Sequence, residues 1–284
     1  VLGDDRAFGS YGLDQCLDLT QQALVDGNGV AGPDGWPVGE GMAIAMIATI
    51  PPRGHFAEAS VAVTSDGDYL LSVGTAEFGN GTTTVLTQVV ATELNTTPDK
   101  VLVRQSDTQA TGYDTGAFGS AGTVVAGQAV MAACRDLRAS MLRAAAEHTG
   151  TGMHTCVLTP HGVQCGTRLV EFADLPTSLI GHGSHDGTPR SVAFNVQGFR
   201  VAVNPETGEV RILQSVQAAD AGVVMNPQQC RGQVEGGVAQ AIGGALYEQI
   251  LIGPDGTVLT DALRNYHIPQ LADVPVTEVL FADT

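Results

Sequence analysis

The chain is short of positive charge. Lysine and arginine together number 13 against 30 acids, for a formal net charge of -17 over 284 residues. Lys100 is the only lysine, and no function is read from that. So acidic a surface repels phosphate backbones, which excludes nucleic acid and anionic membranes as whole-surface partners. A local anion site built from backbone amides stays open. Long apolar runs are also lacking. The longest, Met42 to Ile50, falls well short of the roughly 20 residues that span a bilayer. No charged segment followed by an apolar one opens the chain, so no signal peptide is expected. The 5 cysteines are scattered and odd in number, which suits a reducing compartment, with the cytoplasm as the expectation. Trp36 is the only tryptophan.

Glycine is plentiful at 36 residues, yet follows no fixed period, so turns and close contacts are expected in place of a collagen-like or solenoid array. Hydrophobic content of 43% with 15% charged residues marks a globular chain. Its length fits one large domain or two ordinary ones.

Gly12–Asp26 reads as an amphipathic helix, followed by a Gly/Pro/Asp linker through Gly39. Gly41–Ile50 reads as a strand stopped by Pro51-Pro52. Ala57–Thr64 and Tyr69–Gly74 form a hairpin. The turn Gly79-Asn80-Gly81 opens a helix through Leu94, and Val101–Gln105 is a strand. A small-residue segment, Thr108–Gly122, leads into a long helix ending near His148. Cys156–Leu158 and Val163–Cys165 form a hairpin, Leu169–Ile180 a short helix, and Gly181–Pro189 a loop. Val192–Val203 and Glu209–Ala219 are long strands, and Val276–Phe281 is the last. Plain hairpins without a strict βαβ rhythm predict an α+β fold with mixed sheets and packed helices. Strands, loop and helix recur twice, which suggests two similar α+β halves.

The most unusual stretch is Asp220–Glu248. Asn226-Pro227 is a helix start, with a capping side chain before a proline at the first helical position. Val234, Val238, Ala241, Ile242, Ala245 and Leu246 share one face. Gln233, Gly237, Gln240 and Gly244 share the next, and Gly232, Gly236 and Gly243 lie in the same helix. Each interior glycine costs about 1 kcal/mol against alanine. Tight packing of a core helix explains the glycines alone; a planar polar ligand held by Gln233 is the sharper reading.

Other constellations have bland readings. Gly79-Asn80-Gly81 before a helix could bare amides to an anion, or simply be a turn. Ser120 lacks a nucleophile elbow, because Phe118 stands where the first glycine belongs, so a serine hydrolase is rejected. His154, Cys156, His161 and Cys165 are badly spaced for zinc. Hairpin register sets Cys156 opposite Cys165, but ordinary free cysteines are preferred to a disulfide. His182 and His185 belong to a solvated loop. Glu77, Asp114, Asp220 and Glu235 are candidate bases that more readily cap turns or bind arginine.

Six segments in order give the chain a family likeness: GLDQCLDL, Gly79-Asn80-Gly81, the loop Gly116–Gly122 before GQAVMAAC, Asn226-Pro227, the Gln233 helix and Tyr266-His-Ile-Pro269. Together they resemble the xanthine dehydrogenase/aldehyde oxidase family of molybdenum hydroxylases. The resemblance implies the C-terminal molybdopterin-binding part of a large subunit. Residues 1–40 would be a helix and linker from a preceding part, 41–189 a first cofactor-binding half, and 190–284 a second half ending before the family's catalytic glutamate. It implies cofactor contacts at Asn80, Gly119, Ser120, Ala121, Gly122 and Gln233. Asn80 replaces the family's glutamine and shortens its reach. No catalytic or metal-ligating residue is identified. The implied cofactor is molybdenum–molybdopterin, with a cytosine dinucleotide form as one option, and 2Fe-2S and FAD sit on other domains or subunits. Expected partners are a small aldehyde or N-heterocycle, hydroxylated with water as oxygen source, the rest of the subunit, and the iron–sulfur and FAD subunits of an oligomer. The fragment alone is expected to be inactive. The alternative is a non-catalytic assembly module.

Overall fold

The computed structural model describes residues 10–27, 29–48, 54–187 and 192–284. The chain opens with α1 (Leu13–Asp26), β1 (Val38–Ala48), β2 (Ala57–Val63) and β3 (Tyr69–Val73). Then come α2 (Thr82–Glu93), β4 (Val101–Gln105) and α3 (Gly127–Thr149). Four short strands follow: β5 (Cys156–Thr159), β6 (Gly162–Cys165), β7 (Arg168–Glu171) and β8 (Ile180–His185). Last are β9 (Val192–Val203), β10 (Val210–Asp220), α4 (Pro227–Ile242), α5 (Leu263–Tyr266) and β11 (Thr277–Phe281). The fold is α+β, as the sequence implied, in two compact units. The prolines Pro51-Pro52, read as a strand stop, lie outside the described residues.

The first unit takes in residues 48–191. Its four-stranded sheet has the order β4-β3-β2-β8. β2 alternates strictly, burying Ala57, Ala59, Val61 and Val63. It pairs antiparallel with β3 and β8, while β3 and β4 run parallel. The helix α2 makes the crossover that a parallel pair requires. The long α3 lies over the sheet and buries Ala129, Val130, Ala133, Leu137 and Met141. A small sheet, β5-β6-β7, packs into the same core through Leu158, Val163 and Val170.

Three expectations fail here. Leu169–Ile180 is not a helix: its start pairs with β6 as β7, and only Phe172–Asp174 makes a single 3-10 turn. The loop expected from Gly181 is largely strand β8. Its glycines put bare backbone under α3, where a Cβ on Gly181 would run into the carbonyl oxygen of Ala133. Cys156 and Cys165 do lie opposite one another, but as a disulfide with Cα atoms 4.1 Å apart, not as free thiols. Directly opposed cysteines on a tight hairpin already meet the distance a bridge needs.

The second unit joins residues 8–47 to 192–284. Its sheet, β1-β9-β10-β11, repeats the plan of the first: an antiparallel hairpin, a helix, then a strand parallel to the hairpin's second member. Here these are β9, β10, α4 and β11. The helix α1 packs on β9 and β10, where Gly198 makes room for Thr20 and Leu24. Asp220, buried at the end of β10, accepts the Gly12 N–H at 2.9 Å and the Thr284 hydroxyl at 2.8 Å. The edge strand β1 is exposed along nearly its whole length, with Ile44, Met46 and Ile47 open to solvent. No helix among the described residues is long and apolar enough to cross a membrane.

Candidate functional site

In each unit the parallel pair sends its carboxyl ends toward a loop and a helix start, the usual place for a ligand in α/β architecture. In the first unit these loops are 74–81, after β3, and 106–122, after β4. They carry Asn80 and Gly119, Ser120, Ala121 and Gly122, so one strand-end region gathers the five residues singled out there. Gln233 belongs to the second unit, on α4.

The turn before α2 is not an empty anion cradle. The Glu77 carboxylate accepts the N–H groups of Gly79 at 2.7 Å, Gly81 at 3.2 Å and Thr83 at 2.9 Å. Burial pushes the Glu77 carboxyl up, but the amides of Thr83, Gly79 and Gly81 outweigh it and hold the group below its ordinary 4.5. The amides expected to face a ligand anion are therefore already taken by a capping carboxylate. Asn80 Oδ1 accepts the Thr82 N–H at 3.4 Å, which turns its carbonyl end inward on its own turn. Replacing Glu77 with alanine is expected to cost about 1 kcal/mol at neutral pH. A group with a depressed folded pKa lends stability above its unfolded pKa and loses it as pH falls through the folded one. The difference between wild type and Glu77→Ala should therefore close below pH 4.5; urea unfolding at neutral and acid pH measures it.

The other loop passes from Gly116 through a turn at Phe118–Ser120 with Gly119 and Ser120 both left-handed, at φ 67° and 54°. A π-helical turn, Gly122–Ala126, joins it to α3. Ala121 and Gly122 are buried, while Ser120 is exposed.

Around these loops lie buried polar atoms without a hydrogen-bond partner: His55 Nδ1, Thr75 Oγ1, Gln105 Nε2 and Asp114 Oδ2. Thr75 is 1% exposed and His55 4%. Each orphan costs about 1–3 kcal/mol, and native proteins hold few. They meet at the ends of β2, β3 and β4 and make this a polar region; a comparable group, Asn195 Oδ1, Gln214 Oε1 and Gln217 Nε2, lies in the second unit. Sequence reading missed His55, Thr75 and Gln105, because isolated polar residues at strand ends carry no periodic signal.

The glycine face of α4 also departs from expectation. Asn226 caps the helix as read, accepting the Gln229 N–H at 3.1 Å. Val238 and Ile242 are buried, but Gln233, Gly237, Gln240 and Gly244 are exposed. A Cβ built on Gly232, Gly236, Gly237 or Gly244 meets nothing within 4 Å. Among the described residues these four glycines therefore have no packing partner, whereas a Cβ on Gly243 would lie 2.8 Å from a Pro269 ring carbon.

The acids are committed as capping or pairing groups. Asp114 Oδ1 accepts the Gly116 N–H at 2.7 Å, and Glu235 pairs with Arg231 at 2.8 Å. Among the described residues no three metal-capable side chains gather. Burial, then Asp220 and Asp14, push the Cys16 thiol up to about 11; burial, above all, raises Cys134 to about 12, so neither is a nucleophile at neutral pH.

Glycine-lined loops and amide side chains thus lie at the ends of the parallel strands. A family model described as "Molybdopterin cofactor-binding domain" matches residues 26–275. The chain belongs to this family, the molybdopterin-binding domain of the xanthine dehydrogenase/aldehyde oxidase oxidoreductases. It is 32% identical over 250 residues to the probable hypoxanthine oxidase XdhD of Escherichia coli, covering 84% of this chain and 26% of that protein. It is 29% identical to the gamma subunit of the 6-hydroxypseudooxynicotine dehydrogenase complex of Paenarthrobacter nicotinovorans, covering 85% and 32%. Its fold matches quinoline 2-oxidoreductase from Pseudomonas putida 86 with a TM-score of 0.78 at 22% identity, over 95% of this chain and 37% of that one. The chain thus spans between a quarter and a third of the length of these curated relatives.

Proposed function

We propose that this chain holds the molybdenum cofactor of a hydroxylase that oxidises a small aldehyde or N-heterocycle with water as the oxygen source. The open glycine face of α4 carries the reading. Four glycines that pack against nothing are hard to explain as structure, whereas they let a flat ligand lie on the helix backbone beside the Gln233 amide. The donor set fits a pterin, which is planar and alternates donors with acceptors. Gln233 offers a side-chain amide, Asn80 its amide nitrogen, Ser120 a hydroxyl, and Gly119, Ala121 and Gly122 a backbone that a ligand can approach closely. None brings a charge that would need neutralising. The names of the relatives, a probable hypoxanthine oxidase and a subunit of the 6-hydroxypseudooxynicotine dehydrogenase complex, support the substrate class.

When bound, the cofactor supplies the two-electron redox chemistry; the protein supplies orientation and hydrogen bonds. Ser120 and the Gly119–Gly122 backbone fix one edge of the ligand. Gln233, on α4 of the second unit, is proposed as a separate cofactor contact through its amide. Glu77, Asp114, Asp220 and Glu235 are spent on caps and an ion pair, so none is assigned as the base, and the chain alone is expected to be inactive. We further propose that 2Fe-2S and FAD groups on other domains or subunits accept the electrons and that the protein works in a cytoplasmic oligomer.

Elemental mass spectrometry tests the reading on the protein purified with its copurifying subunits from a host that makes the cofactor. Near-stoichiometric molybdenum is expected, and Gln233→Ala should lower it several-fold, roughly what loss of one or two hydrogen bonds does. Absence of molybdenum in wild type would sink the reading in favour of a cofactor-free assembly module.

A further inference from the structure

Segment 54–58 is fastened to segment 113–115. Glu58 donates its N–H to Tyr113 O at 3.0 Å, Thr115 donates to Phe56 O at 2.9 Å, and Ala57 pairs with Asp114 in an antiparallel bridge. This fixes His55 beside Asp114. The imidazole lies under Phe118, with ring centroids 5.7 Å apart, and Phe118 opens the left-handed turn at Gly119 and Ser120. Asp114 uses Oδ1 to hold the Gly116 N–H, so its carboxylate is an anchor of that same loop.

The anomaly is that His55 Nδ1 and Asp114 Oδ2 are both buried and both without a partner. A core histidine with a structural role is normally satisfied, and neighbouring groups of complementary character rarely stay apart. They do act on one another. Burial lowers the imidazole pKa, and the Asp114 charge opposes it. Because the other Asp114 oxygen carries the Gly116 N–H, a hydrogen bond between His55 and Asp114 Oδ2 would tie the imidazole to the loop that holds Phe118, Gly119 and Ser120.

We propose that His55 and Asp114 form a positioning couple for the Gly116–Gly122 loop, closed by a hydrogen bond from His55 Nδ1 to Asp114 Oδ2 when the loop bears on its ligand. The couple rests on the cofactor reading above, and its residues position the loop without touching the reacting atoms. The arrangement makes the hold on the ligand depend on an atom at the Nδ1 position and not merely on filling the space.

The test uses the cofactor-loaded protein and its own molybdopterin as probe, followed as fluorescent oxidised pterin released over time, with thermal midpoints measured alongside. His55→Ala and His55→Gln should release pterin about tenfold faster, the loss of one hydrogen bond. His55→Asn, whose amide nitrogen falls at the Nδ1 position, should restore wild-type release. Asp114→Asn keeps the tie to Gly116 but removes the acceptor, so it should match His55→Ala, and the double variant should be no worse than either single one. Should the alanine variant fail to fold, the Gln and Asn variants, which fill the site, decide the matter. Equal release from Gln, Asn and wild type would overturn the couple while leaving the cofactor reading intact. Wild type without pterin would overturn both.

Discussion

Gly237→Ala should make the protein more stable and leave it largely without cofactor. The position lies inside α4, so alanine gains helix propensity and reduces the freedom of the unfolded chain, together about 1 kcal/mol. Among the described residues nothing opposes the added methyl, since its Cβ meets no atom within 4 Å. On a ligand lying against the same face, one turn from Gln233, the methyl is a clash costing about 1–3 kcal/mol, or ten-fold and upward in affinity. A thermal melt read beside molybdenum content checks both halves. A helix whose glycines served packing would give the reverse pattern, with lower stability and unchanged cofactor. Few substitutions separate the two uses of glycine so cleanly, because here stability and ligand retention are expected to move in opposite directions.

Gly183→Ala is expected to be strongly destabilising. The added carbon would strike the Ala129 carbonyl and the Ala133 N–H of α3 and lie 2.9 Å from the Ala132 methyl. Helix backbone cannot rotate away as a side chain can. The strand or the helix must move as a body, at a cost of about 3 kcal/mol or more. For a domain of this size that lowers the melting temperature by roughly 10 °C. Ser184→Ala, one residue on and facing solvent, is the control and should change little. Equal melting of the two variants would mean that β8 is not clamped under α3 as described.

That same strand shows where sequence reading stops. Ile-Gly-His-Gly-Ser-His has neither the branched nor the aromatic side chains that announce a strand. It is one because α3 presents an alanine face and only glycine lets a strand come so near, a tertiary cause invisible in a local window. By contrast Ala57–Val63 announced itself by alternation, and Asn226-Pro227 by capping chemistry, since both signals are local. The disulfide was within reach: register had already set Cys156 against Cys165, and the misjudgement came from weighing compartment above geometry. In the site, the glycine turn before α2 was legible, and so was Glu77 as a turn cap; that it takes the amides of Gly79, Gly81 and Thr83 was not, because spacing alone does not fix which way a carboxylate folds. His55, Thr75, Gln105 and Asp114 come together only through the β2–β3–β4 topology, which no spacing encodes.

The division of the chain has a kinetic meaning. Residues 48–191 form an uninterrupted unit, set as an insertion inside a second whose sheet needs β1 from before it and β9, β10 and β11 from after. On a ribosome the inserted unit can complete its core while the enclosing one still waits. The helix α1, made early, has no sheet to lie on until β9 and β10 emerge, and β10 gains its parallel neighbour only when Thr277–Phe281 is made. Long-range pairing of this kind is slow to close and leaves apolar strand exposed meanwhile. Of the two units, the enclosing one, which carries α4, is therefore the later to be assembled.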